Sequence, residues 1–154
     1  MTFDPADLYH SGFLVEDLEA TMALLGAAGL ARWTRPREHE LRIEVDGRPQ
    51  VARFRYVYSA DGPHHVELIQ PLEGAYLQAT GPMTFHHFGF WVDDLGAPDE
   101  DGLRLECTFL DTDGEPKVSY HVDSAGLRYE RVPRSRRADM TQRWARARDE
   151  SRDK

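Results

Sequence analysis

Two histidines and two glutamates stand at equivalent places in the two halves of this 154-residue sequence. The stretch His10-Ser-Gly-Phe-Leu-Val-Glu-Asp-Leu18 aligns without gaps on His87-Phe-Gly-Phe-Trp-Val-Asp-Asp-Leu95, 77 residues further along the chain. A glutamate lies near the end of each half, Glu67 in the first and Glu130 in the second. Imidazole nitrogens and carboxylate oxygens together suit a divalent ion such as Zn, Ni, Co, Mn or Fe. The four side chains therefore predict one metal site shared by both halves.

Such a site favours proton transfer next to a carbonyl group. An ion with positions left open for two neighbouring substrate oxygens stabilises the negative charge that develops when a proton leaves the adjacent carbon. Glu130 is the candidate base, and Glu67 is a second candidate if it dissociates from the ion. Glu38, Glu40 and Glu44 are further candidates, suggested by their place after the first predicted helix.

The spacing of apolar residues predicts a βαβββ module in the first half. A strand over Leu8–Val15 precedes an amphipathic helix that begins after Asp17 and ends near Gly29, and three more strands follow. In the second half, the turn-rich residues 96–102 take the place of most of the helix. A last helix is predicted over residues 139–148, with Met140, Trp144 and Ala147 on one face.

These elements predict an α+β fold of two tandem modules that form a cupped mixed sheet. The second module has a shortened helix, and a C-terminal helix follows. The expected bounds are 6–72 for the first module, 82–133 for the second and 134–154 for a basic helix or tail, all within one structural domain.

Alternation along the strands predicts which side chains meet. His10 shares a face with Gly12, and His87 shares the equivalent face with Gly89 and Trp91, so each glycine clears space beside a histidine. If the halves pack about a pseudo-twofold axis, the four candidate ligands converge on one concave surface.

Neighbouring residues on these strands have weaker signals. Trp91 is a candidate for the substrate pocket, whereas His86 is expected to point away from the site. Arg128 shares a predicted face with Glu130, so it could bind a substrate carboxylate or phosphate, or form a structural ion pair.

Composition narrows the function classes. The formal net charge is −8, and residues 1–133 hold 11 basic and 23 acidic side chains, a net charge of −12 that disfavours nucleic acid as a partner. The single cysteine, Cys107, excludes a thiolate metal site and an internal disulfide. No apolar run is long enough to span a membrane, and residues 1–7 are acidic where a secretion signal would be basic, so we expect a cytoplasmic protein.

The motifs together resemble the vicinal oxygen chelate superfamily, also called the glyoxalase, bleomycin resistance and dioxygenase superfamily, over residues 6–133. They are His10-x-Gly-Phe-x-Val-x-Asp-Leu, Val66-Glu67-Leu68-Ile69-Gln70-Pro71, His86-His87-Phe-Gly-Phe-x-Val-Asp-Asp-Leu95 and Asp123-x-x-Gly126-x-x-x-Glu130. The resemblance implies two modules around one divalent metal ion, with His10, Glu67, His87 and Glu130 at the ligand positions.

Within that superfamily the sequence looks most similar to the glyoxalase I and methylmalonyl-CoA epimerase branch. This implies a metal-dependent isomerase, epimerase or lyase with a small-molecule substrate, and a homodimer. One alternative is a metal-free protein that sequesters antibiotics, as bleomycin resistance proteins do. Another is an extradiol-type dioxygenase, which the extra carboxylate Glu67 makes the weaker of the two.

Overall fold

The computed structural model describes residues 3–99 and 102–154, so Met1, Thr2 and the part of the predicted turn at Glu100 and Asp101 lie outside the described residues. The strands and α-helices in chain order are β1 (Leu8–Val15), α1 (Leu18–Ala27), β2 (Arg37–Val45), β3 (Arg48–Tyr58), β4 (His65–Glu73), β5 (Met83–Val92), β6 (Arg104–Leu110), β7 (Pro116–Val122), β8 (Arg128–Pro133) and α2 (Arg137–Arg152).

The eight strands close into one barrel in the order β1-β4-β3-β2-β6-β7-β8-β5. In each half the first strand pairs in parallel with the last, β1 with β4 and β5 with β8. The halves join through two antiparallel pairings, β1 with β5 and β2 with β6. The predicted α+β fold is confirmed, and the predicted cup closes into a barrel within one chain. The module bounds 6–72, 82–133 and 134–154 stay a prediction.

Helix α1 covers the outer face of the first half. Asp17 caps it by accepting a hydrogen bond from the Ala20 backbone nitrogen at 2.9 Å, so the helix begins where the sequence predicts. Beneath it, the outward side chains of three strands pack against Leu18 in a small apolar cluster of Val15, Val57 and Leu68. This packing leaves the other face of β1 and β4 free to form the barrel interior.

The second half covers its outer face with polar contacts. Between β5 and β6 the described residues form turns, as their composition predicts, and the shortened helix expected for this module is absent from them. The fully buried Arg131 of β8 holds this connection by donating to the Ala97 carbonyl at 2.6 Å and to Asp99 at 2.8 Å. His121 lies 2.7 Å from the same carboxylate. A guanidinium and a carboxylate therefore take the place of a packed helix.

Helix α2 is longer than the predicted 139–148 and packs on its own chain. Met140, Trp144 and Ala147 are buried, as their spacing predicts. The Trp144 ring stacks on His65 of β4, with 3.6 Å between ring centroids. No helix among the described residues is long and apolar enough to cross a membrane.

Replacing Trp144 with alanine tests how much this packing contributes. We expect the free energy of unfolding to fall by about 3–5 kcal/mol, because a buried indole leaves a cavity when it is truncated. Gln142→Ala, at an exposed position of the same helix, should change it by less than about 0.5 kcal/mol. Urea denaturation followed by circular dichroism measures both values, and equal effects would contradict the packing.

Candidate metal centre

Four adjacent strands of the barrel each supply one candidate ligand. His10 comes from β1, Glu67 from β4, His87 from β5 and Glu130 from β8, and these strands are neighbours in the order β4-β1-β5-β8. All four side chains are buried, and one ligand atom from each lies within 4.8 Å of the others. The structure thus brings together the four residues that the repeat singled out.

The distances within this cluster suit a bound ion. The two Nε2 atoms of His10 and His87 lie 2.9 Å apart. They lie 2.9 and 3.2 Å from Glu130 Oε2, and both lie 3.3 Å from Glu67 Oε2. Ligands about 2.1 Å from one ion are about 3.0 Å apart at right angles and about 3.4 Å apart in a tetrahedron. The five distances, from 2.9 to 3.3 Å, lie within about 0.1 Å of this range.

Two carboxylate oxygens of the cluster are also available to bind an ion. Glu67 Oε2 and Glu130 Oε2 are buried and have no hydrogen-bond partner. A buried carboxylate oxygen without a hydrogen-bond partner destabilises the folded protein by an amount on the order of several kcal/mol. Because both oxygens point at the same imidazole nitrogens, a divalent cation would satisfy them together, and the donor set fits the metal that the sequence implies.

The charges of the cluster are strongly coupled. Burial by itself lowers the pKa of both imidazoles, but the adjacent Glu130 and Glu67 carboxylates outweigh it and raise the pKa of His10 and of His87, the latter to about 9. Burial raises the pKa of the two carboxyl groups, but the imidazoles outweigh it, so the pKa of each lies below its usual value. Both glutamates are therefore ionised at neutral pH, as metal ligands must be.

Two glycines allow the imidazoles to approach each other. Gly12 pairs with His87 across β1 and β5, and a Cβ at Gly12 would overlap the His87 ring. A Cβ at Gly89 would overlap the His10 ring in the same way. The sequence pattern predicts space beside each histidine; in the structure, the glycine of one half makes space for the histidine of the other.

Two β-bulges turn one more side chain from each half into the interior. Tyr9 is the extra residue on β1 and His86 is the extra residue on β5, each just before a candidate ligand. The expectation that His86 points away is wrong, because its Nδ1 lies 2.9 Å from Nδ1 of His87. With Nε2 of His87 directed at the cluster, its Nδ1–H donates to His86, which fixes the orientation of the ring.

The carboxylates of the cluster open onto a cavity inside the barrel. The space within it is about 60 Å³, and Glu67 and Glu130 are in its wall. Aromatic and aliphatic side chains form most of the remaining wall, and α2 contributes Met140 and Arg143 to it. Because one water molecule needs about 10–15 Å³ on the same scale, the cavity has room for a small group of atoms.

Comparison with known proteins identifies the family. Residues 9–111 match the family model described as the Glyoxalase/Bleomycin resistance protein/Dioxygenase superfamily. The chain belongs to this superfamily. No curated protein sequence matches the chain.

Solved structures with the same fold include methylmalonyl-CoA epimerases. The enzyme from Mycobacterium tuberculosis is 17% identical, with 82% of this chain and 87% of that chain covered and a TM-score of 0.50. A variant of the Streptomyces coelicolor enzyme in complex with 2-nitronate-propionyl-CoA is 21% identical, with 86% and 95% covered and a TM-score of 0.52. A methylmalonyl-CoA epimerase in complex with methylmalonyl-CoA and NH4+ is 22% identical, with 82% and 93% covered and a TM-score of 0.51. At these identities the likeness shows the fold.

Other candidate residues of this superfamily member lie outside the cluster. Glu38, Glu40 and Glu44 are exposed on the outer face of β2, so they are not available as bases inside the barrel. Trp91 is buried and stacks on Tyr9, with 3.8 Å between ring centroids, and Tyr9 in turn lines the cavity.

Arg128 is held by an ion pair. Its Nε lies 3.1 and 3.2 Å from the two carboxylate oxygens of Glu106, and the cavity wall does not include it. The substrate-binding roles of Arg128 and Trp91 stay predictions.

Sequence reasoning missed the cations of the cavity wall, Lys117, Arg136 and Arg143. The spacing of residues in the predicted C-terminal helix does indicate the position of one of these three cations. Arg143 follows Met140 by three residues, so it lies on the buried face of the predicted helix.

Alanine at Gly12 or Gly89 tests the approach of the two imidazoles. We expect each variant to bind less than a tenth of the metal bound by the wild type, because the new methyl group displaces one ring from the cluster. Gly81→Ala is the control, since a Cβ there meets nothing closer than 3.9 Å. Metal content is read by mass spectrometry on folded protein, and full occupancy in Gly12→Ala would contradict this geometry.

Proposed function

We propose that this protein is a metal-dependent isomerase, epimerase or lyase that moves a proton next to a carbonyl group of a small molecule. The observation that carries the proposal is the buried cluster of His10, Glu67, His87 and Glu130, whose two carboxylates line the cavity inside the barrel. Membership of the superfamily supports it. His10, Glu67, His87 and Glu130 would hold the ion.

The four candidate ligands differ in their position relative to the cavity. Glu67 and Glu130 line the cavity, whereas His10 and His87 lie behind them. A divalent ion held by these residues would polarise the carbonyl oxygens of a substrate and make the neighbouring C–H bond more acidic. The carboxylates are therefore the groups placed to accept a substrate proton and return it, and we assign this role to Glu130, with Glu67 as its counterpart.

Two tyrosines line the cavity beside the imidazoles. Tyr58 and Tyr120 line the cavity and contact the imidazoles of His10 and His87 edge-on, at 5.4 and 5.0 Å between centroids. Burial, reinforced by the charges of Glu67 and Glu130, raises the pKa of both phenols well above its usual value. Both hydroxyls therefore stay protonated at neutral pH and can donate hydrogen bonds to substrate oxygens.

The cavity charge weighs against the sequestering alternative for cationic antibiotics. Apart from Glu67 and Glu130, the charged side chains of the cavity wall are Lys117, Arg136 and Arg143. These groups repel a cationic ligand. The four-residue ligand set also favours the isomerase pattern over the dioxygenase pattern. The homodimer and the cytoplasmic location stay predictions.

Proton exchange with solvent tests the proposed reaction. Metal-loaded protein in D2O is incubated with 2-hydroxy acids, 2-keto acids, hydroxyketones and acyl thioesters, with methylmalonyl-CoA among them, and proton NMR follows the carbon next to the carbonyl. We expect deuterium to enter at this carbon in at least one compound class. Glu130→Gln should slow the exchange at least about 100-fold, because it removes the group that takes the proton.

The control for this experiment is Glu40→Gln, which alters an exposed carboxylate on the outer face of β2. It should exchange the same compound at the wild-type rate. Exchange that persists in Glu130→Gln or in chelator-treated protein would contradict the proposal. So would the absence of exchange in every class by protein that carries metal.

A further inference from the structure

The cavity wall carries a group of cations that the proposed chemistry does not use. Lys117 of β7, Arg136 just before α2 and Arg143 of α2 all line the cavity, and we call these three the cationic wall. Within residues 3–99 and 102–154 none of the three forms an ion pair with a carboxylate, in a protein whose net charge is −8. By contrast, most of the other buried or half-buried arginines do form an ion pair with a carboxylate.

Arg143 is the most buried member of the cationic wall. It is 8% exposed, and its Nη2 is buried without a hydrogen-bond partner. Its other contacts are weak for a full charge: Nη1 lies 3.3 Å from the Met140 sulfur, and the guanidinium lies 5.7 Å from the centre of the Tyr56 ring. Burying an uncompensated charge is strongly destabilising.

Arg131 shows how the same chain treats a buried guanidinium that has a structural role. It is fully buried, and it donates to the Asp99 carboxylate and to the Ala97 carbonyl. Arg143 has no such acceptors among the described residues, although it faces a cavity. This contrast indicates that the acceptor for Arg143 is a ligand.

Lys117 and Arg136 lie close enough to Arg143 to strengthen the positive electrostatic potential around it. Burial and the positive charges of Arg136, Arg143 and Arg37 lower the pKa of Lys117, and Asp111 opposes them. His39 belongs to the same wall, and burial with the same cations lowers its pKa to about 4, so it is neutral at pH 7. An anion placed among these groups would relieve their mutual repulsion.

The cationic wall lies at a short distance from the metal centre along the strands. On β3, Tyr58 contacts His10, and Tyr56, beneath Arg143, is two residues away, or about 7 Å. On β7, Tyr120 contacts His87, and Lys117 is three residues away, or about 10 Å. The wall between is largely apolar, with Leu41, Phe54, Ile69, Phe109 and Val118.

We propose that Arg143, together with Lys117 and Arg136, binds the carboxylate or phosphate group of a small molecule whose apolar body occupies this cavity. A guanidinium can bind either group through two parallel hydrogen bonds, and the lysine adds a second charge. The anion site does not depend on the proposed function. Only the placement of the molecule's other end, whose oxygens would reach the metal centre, rests on that function. The substrate is then an anion whose charged group is separate from the reacting carbonyl.

Calorimetric titration of metal-free protein tests the anion site independently of the metal centre. The probes share one aromatic body and differ in charge: benzoate, phenyl phosphate, neutral benzyl alcohol and cationic benzylamine. We expect the two anions to bind and the neutral and cationic probes not to bind. The tighter of benzoate and phenyl phosphate identifies the group that the site prefers.

Three variants locate the binding on the structure. Arg143→Met should weaken anion binding about 10- to 100-fold, and Arg143→Lys should restore part of it. Arg152→Gln removes the same charge from an exposed position of α2 and should leave affinity unchanged. The melting temperature of Arg143→Met should equal or exceed that of the wild type, because the variant loses a buried unpaired charge.

If Arg143→Met fails to fold, the double variant Lys117→Gln with Arg136→Gln replaces it, because both residues are half-buried in the same wall. Equal affinity for charged and neutral probes would overturn the proposal. Wild-type affinity in the folded wall variants, or an equal loss in Arg152→Gln, would also overturn it. A protein that binds anions here but exchanges no substrate proton refutes only the proposed function.

Discussion

The burial of two carboxylates between two imidazoles is the constraint on which the rest of the structure depends. Glu67 and Glu130 direct oxygens at the same two Nε2 atoms, and both residues are buried. Such a group of charges is stable only when each member is compensated within a few ångströms. Mutual ionisation with His10 and His87 compensates it in part, and the two carboxylate oxygens without hydrogen-bond partners leave a place for a cation.

The internal repeat brings these four charged groups together with only two residues from each half. Each half brings one histidine on its first strand and one glutamate on its last, and parallel pairing places those two strands side by side. Antiparallel pairing of β1 with β5 then sets the histidine of each half against the glycine of the other. The same closure surrounds the cluster with a cavity, and α2 adds charged and apolar side chains to its wall.

Much of this arrangement could be predicted from the sequence, because its signals are local and repeated. The offset between His10 and His87, the strand-end glutamates and the spacing of Met140 and Trp144 are all readable by eye. The outward direction of Glu38, Glu40 and Glu44 was also readable, since Leu41, Ile43 and Val45 alternate with them. The inward turn of His86 was not, because a bulge inserts one residue and breaks the two-residue period. Nor was the pairing of Arg128 with Glu106, which depends on how distant strands meet in three dimensions.

The metal content of the protein, purified without a metal-affinity tag, tests the central claim most directly. Plasma mass spectrometry on the wild type, before and after incubation with Zn, Ni, Co, Mn or Fe(II) and removal of free ions, gives the ratio of ion to chain. The four-ligand site predicts about one divalent ion per chain in the wild type and less than a tenth of that in His10→Ala and in Glu130→Ala, both folded. A wild type that takes up none of these ions, or variants that keep a full equivalent, would contradict it.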